Sequence, residues 1–510
     1  MIQKNIRMLL FLLFWLSLAP DMEAAEYQVT SLPPDQLHLA KIKLPDISKF
    51  STDTIHRLIA AAKQKKAGTV TRKMVREQEK ICIFYSGEDL LNIGLKQKAL
   101  PTALVIEKGV MTIKEVSKAF PGLLVDMGHN EYLAKLPIMV STHATLIIEN
   151  SVIKLSMERG AFLVNGGELF LQGGSLLGWS EKTDGPAWYS GNKHAFRPFF
   201  VSLGASRTYF NQTRAAHLGY LHSKSYGITL SSYHVKQTEN VLQGKDINLS
   251  TYPTGWFLNS YFSDIYYGFY CYEARDIAVI NNTYADNIIY GIVPHDRSSH
   301  LTIAGNTIYG TKIKHGIIIS RQVDNSFIFH NICHDNKRSG IMLDRQSRNN
   351  QVVGNTVYRN GSDGITLHEV ANNLVAENVI YDNKAHGIRL RNSEHVTMRD
   401  NIILNNGAFG VYLHTRDLIA SGHKRDLNKD PYRQDVSAIL TGGIIAGNRS
   451  GSVFAQNAST FTMYSIVIDA NGKDRHQLKF GGDLARYHNR IVQALWGKQG
   501  VAVISRNRDH

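Results

Sequence analysis

The run "YGIVPHDR", Tyr290 to Arg297, sets proline, histidine and aspartate side by side at the end of an apolar, strand-like stretch. Related runs recur along the chain: "YGFYCYEA", "HGIIISRQ", "SGIMLDRQ", "DGITLHEV", "HGIRLRNS" and "FGVYLHTR". Counted from each glycine, the second and fourth positions read Tyr270/Tyr272, Val293/His295, Ile318/Ser320, Met342/Asp344, Thr366/His368, Arg389/Arg391 and Tyr412/His414. The fifth position adds Glu273, Asp296, Arg321, Arg345 and Glu369. Tyrosine, histidine, arginine and carboxylate, gathered on one face, could grip an anionic sugar polymer and work on it. Pro294 has no N–H to give a ladder, and proline is normally excluded from central strands. A local rule broken at one repeat marks a candidate site, and the break would re-aim His295 and Asp296.

The elements that must hold these residues follow from the spacing. The marker glycines are Gly268, Gly291, Gly316, Gly340, Gly364, Gly387 and Gly410, at intervals of 23 to 25 residues. Nine or ten residues before each stands Asn259, Asn282, Asn306, Asn331, Asn355, Asn378 or Asn401, and most repeats add a second asparagine five residues on. A fixed leucine framework is absent, which excludes leucine-rich repeats. Short β-prone runs between Asn, Asp and Gly turns, with no helical period, predict an all-β right-handed parallel β-helix. Coils then stack about 4.8 Å apart, and asparagines in register can form amide ladders. Successive strand residues point to opposite faces. The apolar first and third positions (Phe269/Cys271, Ile292/Pro294, Ile317/Ile319 and their successors) therefore face the interior, and the second and fourth face solvent.

The expected organisation is a signal peptide over 1–25, an N-terminal capping region over 26–135 and the β-helix over 136–416. C-terminal strands and a capping helix would fill 417–510. The start carries Lys4 and Arg7 before an apolar run, Met8 to Ala19, then Ala24 and Ala25, the layout of a cleaved secretory signal. No later stretch is long and apolar enough to span a bilayer, so an exported, periplasmic protein without membrane insertion is expected. Three scattered cysteines, Cys82, Cys271 and Cys333, exclude a disulfide framework, and the later two read as buried free thiols. The net charge of +14 favours a polyanionic partner. No nucleic-acid-binding motif is visible, which leaves an acidic polysaccharide or an anionic membrane surface.

At these residues the sequence resembles the periplasmic mannuronan C5-epimerases of alginate-producing bacteria, the AlgG family. The likeness runs through "YGFYCYEARD", "NTYADNIIYGIVPHDRS", "KHGIIISR", "YRNGSDGITLHE" and "HGIRLRNS", and fades toward both ends. The family signature is an Asp-Pro-His-Asp tetrad, read here as Val293-Pro294-His295-Asp296. The resemblance implies conversion of β-D-mannuronate to α-L-guluronate within the polymer, with no metal and no other cofactor. It places His295 on the catalytic base, Arg321 on the arginine that neutralises the substrate carboxylate and Asp296 on the last tetrad acid. Tyr270, Tyr272, Lys314, Arg345, His368, Arg389 and Arg391 would line the polymer site, with Tyr270, Tyr272 or water returning the proton. Other periplasmic export proteins are implied as partners. Val293 departs from the tetrad at a position expected to face the groove, where packing would not call for an apolar residue; Glu273 is a substitute carboxylate. Two rival readings use the same surface: a polysaccharide lyase and a non-catalytic polymer-binding scaffold.

Overall fold

The computed structural model describes residues 26–31, 33–75, 93–222, 224–232, 252–420, 426–428, 430–468, 477–496 and 501–506. The signal segment 1–25 and Cys82 lie outside them.

The chain winds into a parallel β-helix whose coils each contribute a strand to three faces. The groove face takes Tyr267–Tyr272, Tyr290–His295, Ile317–Ser320, Ile341–Asp344, Ile365–His368, Ile388–Arg391 and Phe409–His414, each paired parallel to the next. The second face takes Ala278–Ile280, Thr302–Ala304, Phe327–Phe329 and their successors, and the third Thr283–Ala285, Thr307–Tyr309, Ile332–His334 and theirs. The expected inward positions, Ile292, Ile317, Ile319, Ile341, Leu343, Ile365 and Leu367 among them, are 0% exposed and share one core. Burial at about 25 cal/mol per Å² of apolar surface is the term that drives such a stack together. Cys271 and Cys333 are free and buried there, and burial pushes the Cys271 thiol up to about 12.

Two features convert the repeat into geometry. At the marker glycine the wall turns too tightly for a side chain: a Cβ on Gly291 would lie 2.4 Å from Ile308 and 2.6 Å from the Gly316 carbonyl. At the opposite corners the asparagines join coil to coil. Nδ2 of Asn282 donates to Oδ1 of Asn306 at 3.0 Å, Asn306 to Asn331 at 2.9 Å and Asn331 to Asn355 at 3.0 Å. Each Oδ1 also accepts a backbone N–H of the coil before it, so buried polar groups that would cost about 1–3 kcal/mol unpaired are satisfied. A parallel ladder runs through Asn336, Asn360, Asn383 and Asn406. Asn259 is the exception to the expected register. Ser260 occupies the ladder position on its coil, donating its N–H to Asn282, and Asn259 reaches Asn211 instead. The rings of Tyr309, His334, Tyr358 and Tyr381 stack 4.9–5.2 Å apart on the third face, which is the coil spacing.

The coils extend past the expected limits at both ends. Thr102–Thr112 already pairs parallel to Ile138–Glu149, and Ser437–Thr441, Gly451–Gln456 and Thr460–Tyr464 continue the winding beyond 416. Residues 26–135 do not all gather at one end either. Tyr27–Thr30 pairs antiparallel to Val501–Arg506, which itself pairs antiparallel to Thr460–Tyr464. From there the segment around Ile42, Leu44, Ile47 and Phe50 packs on the outside of the second face. It leads to the helix Thr52–Lys63, which Ser51 caps through its hydroxyl to the Thr54 N–H at 3.3 Å. Ile55, Ile59 and Ala62 on one stripe bury against Phe170 and Tyr209. The C-terminal amphipathic stretch forms the helix His488–Trp496. No helix among the described residues is long and apolar enough to cross a membrane.

Candidate active site

Pro294 leaves its strand in place and removes one rung. Toward the preceding coil the register is complete, with Tyr270 opposite Val293, Cys271 opposite Pro294 and Tyr272 opposite His295. Toward the following coil only Ile292–Ile317 and His295–Ser320 pair. The N–H of Ile292 donates to the Gly316 carbonyl and that of Asp296 to the Ser320 carbonyl; the donor between them is the one proline lacks. The strand then ends in a left-handed bend at Asp296 (φ 39°) and Arg297 (φ 55°). The same bend recurs at Glu273, Arg321/Gln322, Arg345/Gln346 and Glu369. Non-glycine residues there cost about 1–3 kcal/mol each and persist where the surroundings enforce them. The fifth-position side chains thereby swing to one rim of the groove.

That rim brings together the three residues assigned to chemistry. Nδ1 of His295 bonds Oδ2 of Asp296, and Arg321 Nη1 lies 3.7 Å from Oδ1 of the same carboxylate. Burial opposes the charge on Asp296, but the His295 bond, with Arg321 and Lys224 nearby, holds its carboxyl below the usual range. An ionised Asp296 on Nδ1 favours the tautomer whose proton sits on that nitrogen, leaving Nε2 with a lone pair. Arg321 Nε is enclosed by protein, and its Nη2 donates to Asp430 Oδ2 at 2.9 Å.

The rest of the column divides. Arg345 sits one coil above Arg321, its Nη1 3.3 Å from Asp430 Oδ2. Lys314 Nζ donates to the Tyr290 hydroxyl at 3.0 Å. Arg391 is engaged by Glu369 at 2.8 Å, and Arg389 Nε points to His414 Nε2 at 3.3 Å. His368 is buried, and that burial, with Arg391 and Arg389 beside it, keeps it well below the ordinary histidine range.

The expectation of a solvated outer column is corrected here. Tyr270 (6%), Val293 (1%), Ile318 (5%) and Met342 (8%) form an apolar cluster of their own, separate from the interior core. Val293 therefore has a packing reason to be apolar. Glu273, the suggested substitute acid, bonds Arg297 and accepts from the Ser232 hydroxyl at 2.6 Å.

Three contributors escaped the reading of the repeat because they come from outside it. Lys224, in the bend before the strand Gly227–Ser231, places Nζ 3.2 Å from the Tyr272 ring centroid and 5.5 Å from that of Tyr270. Burial drives its ammonium down to about 7, against the pull of Asp296 and Glu273. Tyr226 stacks on Tyr267 at 4.7 Å and meets Tyr270 edge-on at 5.0 Å. Tyr270 itself lies 6.0 Å from the His295 ring, and burial raises its phenol well above the ordinary value, so it stays a donor. Asp430, from the segment after Asp417, is the third.

The histidines above the site give a pH signature. His315 Nδ1 accepts the Ser339 N–H at 3.2 Å, and burial, with Arg338 and Lys314, lowers its pKa from 6.5 to about 3. His414 falls to about 4 by burial and Arg389. The unfolded chain takes up these protons near pH 6.5 and the folded one only near 3–4. Folding is therefore unpenalised above about 6.5 and loses stability as pH falls through that window. His315→Gln, which keeps an acceptor for Ser339, is expected to fall less steeply in thermal midpoint between pH 6.5 and 4 than the parent.

Comparison with known proteins agrees with this geometry. The family described as "Right handed beta helix region" matches residues 311–420, and "Periplasmic copper-binding protein (NosD)" matches 205–362. A mannuronan C5-epimerase of Pseudomonas putida is 38% identical over 94% of this chain and 91% of its own length. Mannuronan C5-epimerase AlgG of Azotobacter vinelandii is 40% identical over 96% and 91%. The crystal structure of the periplasmic alginate epimerase AlgG superimposes with a TM-score of 0.80 at 39% identity, covering 85% of this chain and 100% of that one. At this identity across nearly the full length of both sequences, the chain belongs to the mannuronan C5-epimerase family.

Proposed function

We infer that this protein is a periplasmic isomerase that converts β-D-mannuronate to α-L-guluronate within an alginate polymer. The observation that carries the site is one carboxylate, Asp296, joined to His295 on one side and facing Arg321 on the other. Epimerisation removes the C5 proton, which is α to the uronate carboxylate, and returns one to the opposite face. Deprotonation there builds a dianionic enolate. His295 Nε2, on the ring held by Asp296 through Nδ1, takes the proton as general base. Arg321 holds the carboxylate, and its attraction grows as charge develops, which is the part that accelerates reaction. The polymer's other uronates lie along the groove toward Lys314 and Arg345, and the basic surplus of +14 draws the polyanion in. Protein partners of an export assembly would meet the enzyme through other faces of the rod.

The lyase reading shares the enolate and differs in its fate, expelling the C4 oxygen. Incubating polymannuronate with the enzyme in D₂O separates the two. Deuterium at C5 and new guluronate without chain scission are expected, whether the returning proton comes from a phenol or from water, since both exchange. Unsaturated chain ends would replace this reading with a lyase, and tight binding without exchange would replace it with a scaffold.

A further inference from the structure

A carboxylate from outside the repeat sits against the arginine assigned to the substrate. Asp430 Oδ2 accepts from Arg321 Nη2 at 2.9 Å and from Arg345 Nη1 at 3.3 Å. Its side chain is 7% exposed, whereas both arginines are 36% exposed. The residues that follow it are fastened to the coils at three points. Gln346 Nε2 donates to the Pro431 carbonyl at 2.9 Å, Arg433 pairs with Glu394 at 3.1 Å, and the Tyr432 hydroxyl meets Asp417 at 3.2 Å. Asp430 is therefore the fixed partner of the contact and Arg321 the movable one.

The three nitrogens of the Arg321 guanidinium are in different situations. Nε is enclosed, Nη2 is taken by Asp430, and Nη1 has Asp296 at 3.7 Å, beyond hydrogen-bond range. A bond on Nη2 and an enclosed Nε fix the plane of the fork and leave Nη1 directed to the side where His295 stands. A long, mobile arginine without that anchor would hold a sugar carboxylate in many poses. A misplacement of about 1 Å at a reacting centre can cost about 10²-fold in rate.

Resting on the assignment of Arg321 to the substrate carboxylate, we propose that Asp430 is a positioning residue: it orients the Arg321 guanidinium so that Nη1 meets the uronate being epimerised beside His295. It does not touch the sugar. Its effect belongs in kcat, because the geometry it enforces matters as charge develops, and only weakly in polymer affinity, which is spread over many groove cations.

The test compares steady-state kinetics on polymannuronate for the parent, Asp430→Asn, Asp430→Ala, Arg321→Ala and the double variant Arg321→Ala/Asp430→Asn. Asp430→Asn keeps the size and one acceptor oxygen and loses the charge assistance, which roughly halves the bond. It is expected to lower kcat about 10-fold with KM within about twofold, and Asp430→Ala about 100-fold. In the double variant the asparagine is expected to add no loss beyond Arg321→Ala, a coupling that a general effect on folding would not give. Should Asp430→Ala fail to fold, the isosteric asparagine decides. Unchanged kcat in Asp430→Asn overturns the proposal, as does a lowered KM, which would make Asp430 a competitor for the substrate's arginines. Additive losses in the double variant overturn it too. An active Arg321→Ala enzyme would instead sink the assignment of Arg321 itself, an outcome distinguishable from the rest.

Discussion

Replacing His295 with alanine is expected to lower C5 epimerisation, read as deuterium incorporation into polymannuronate, by about 10²–10⁴-fold, the usual contribution of a positioned general base. Polymer binding should stay within a few-fold of the parent, because His295 is one side chain in a groove whose affinity is carried by several cations. The side chain is only partly buried and outside the interior core, so its truncation leaves no cavity in the stack and the thermal midpoint should hold. A variant that binds, folds and does not exchange would isolate the proton-transfer step. One that exchanges at the parent rate would remove His295 from the reaction.

The second large effect is expected at Arg321. A guanidinium about 4 Å from a carboxylate at an effective dielectric near 20 is worth about 4 kcal/mol of Coulomb energy before desolvation. If most of that is realised only as the enolate forms, Arg321→Ala loses about 10³-fold in kcat, since each 1.36 kcal/mol is tenfold. Arg321→Lys restores the charge and not the fork. It cannot serve Asp430 through one terminal nitrogen and a uronate through the other, and it should recover only part of the loss. Rates for the three enzymes under saturating polymer check both statements; a lysine variant as fast as the parent would show that point charge alone suffices.

Much of this was legible in the repeat because the β-helix writes its geometry into sequence with a fixed period. The inward pairs, from Phe269/Cys271 to Val411/Leu413, follow from alternation alone, and the marker glycines stand where a Cβ cannot fit. His295, Asp296 and Arg321 could be placed on one rim because their positions in the repeat are adjacent. Two kinds of information were missing. Alternation tells which side of a strand a residue is on and not what covers that side, so Val293, Ile318 and Met342 were read as solvated when they pack under an aromatic roof. Contacts between distant segments leave no periodic trace. Nothing about "KDPYRQD" reveals that Asp430 lands on Arg321, or that Lys224 reaches Tyr272. The Asn259 slip has the same origin as a one-residue register error: neighbouring asparagines look alike until the hydrogen bonds choose between them.

The antiparallel pair beyond the last coil determines how this face of the stack ends. A stack of parallel coils is an open template, since its final rung offers unsatisfied amides and carbonyls in the pattern a further coil would complete. Val501–Arg506 lies across that rung in the reverse sense, and Tyr27–Thr30 lies on it in turn. Two reversals leave an outermost edge formed by a four-residue strand whose direction restarts the winding only in isolation from the other two faces. On this face the rung that would accept a further parallel coil is instead covered by antiparallel strands.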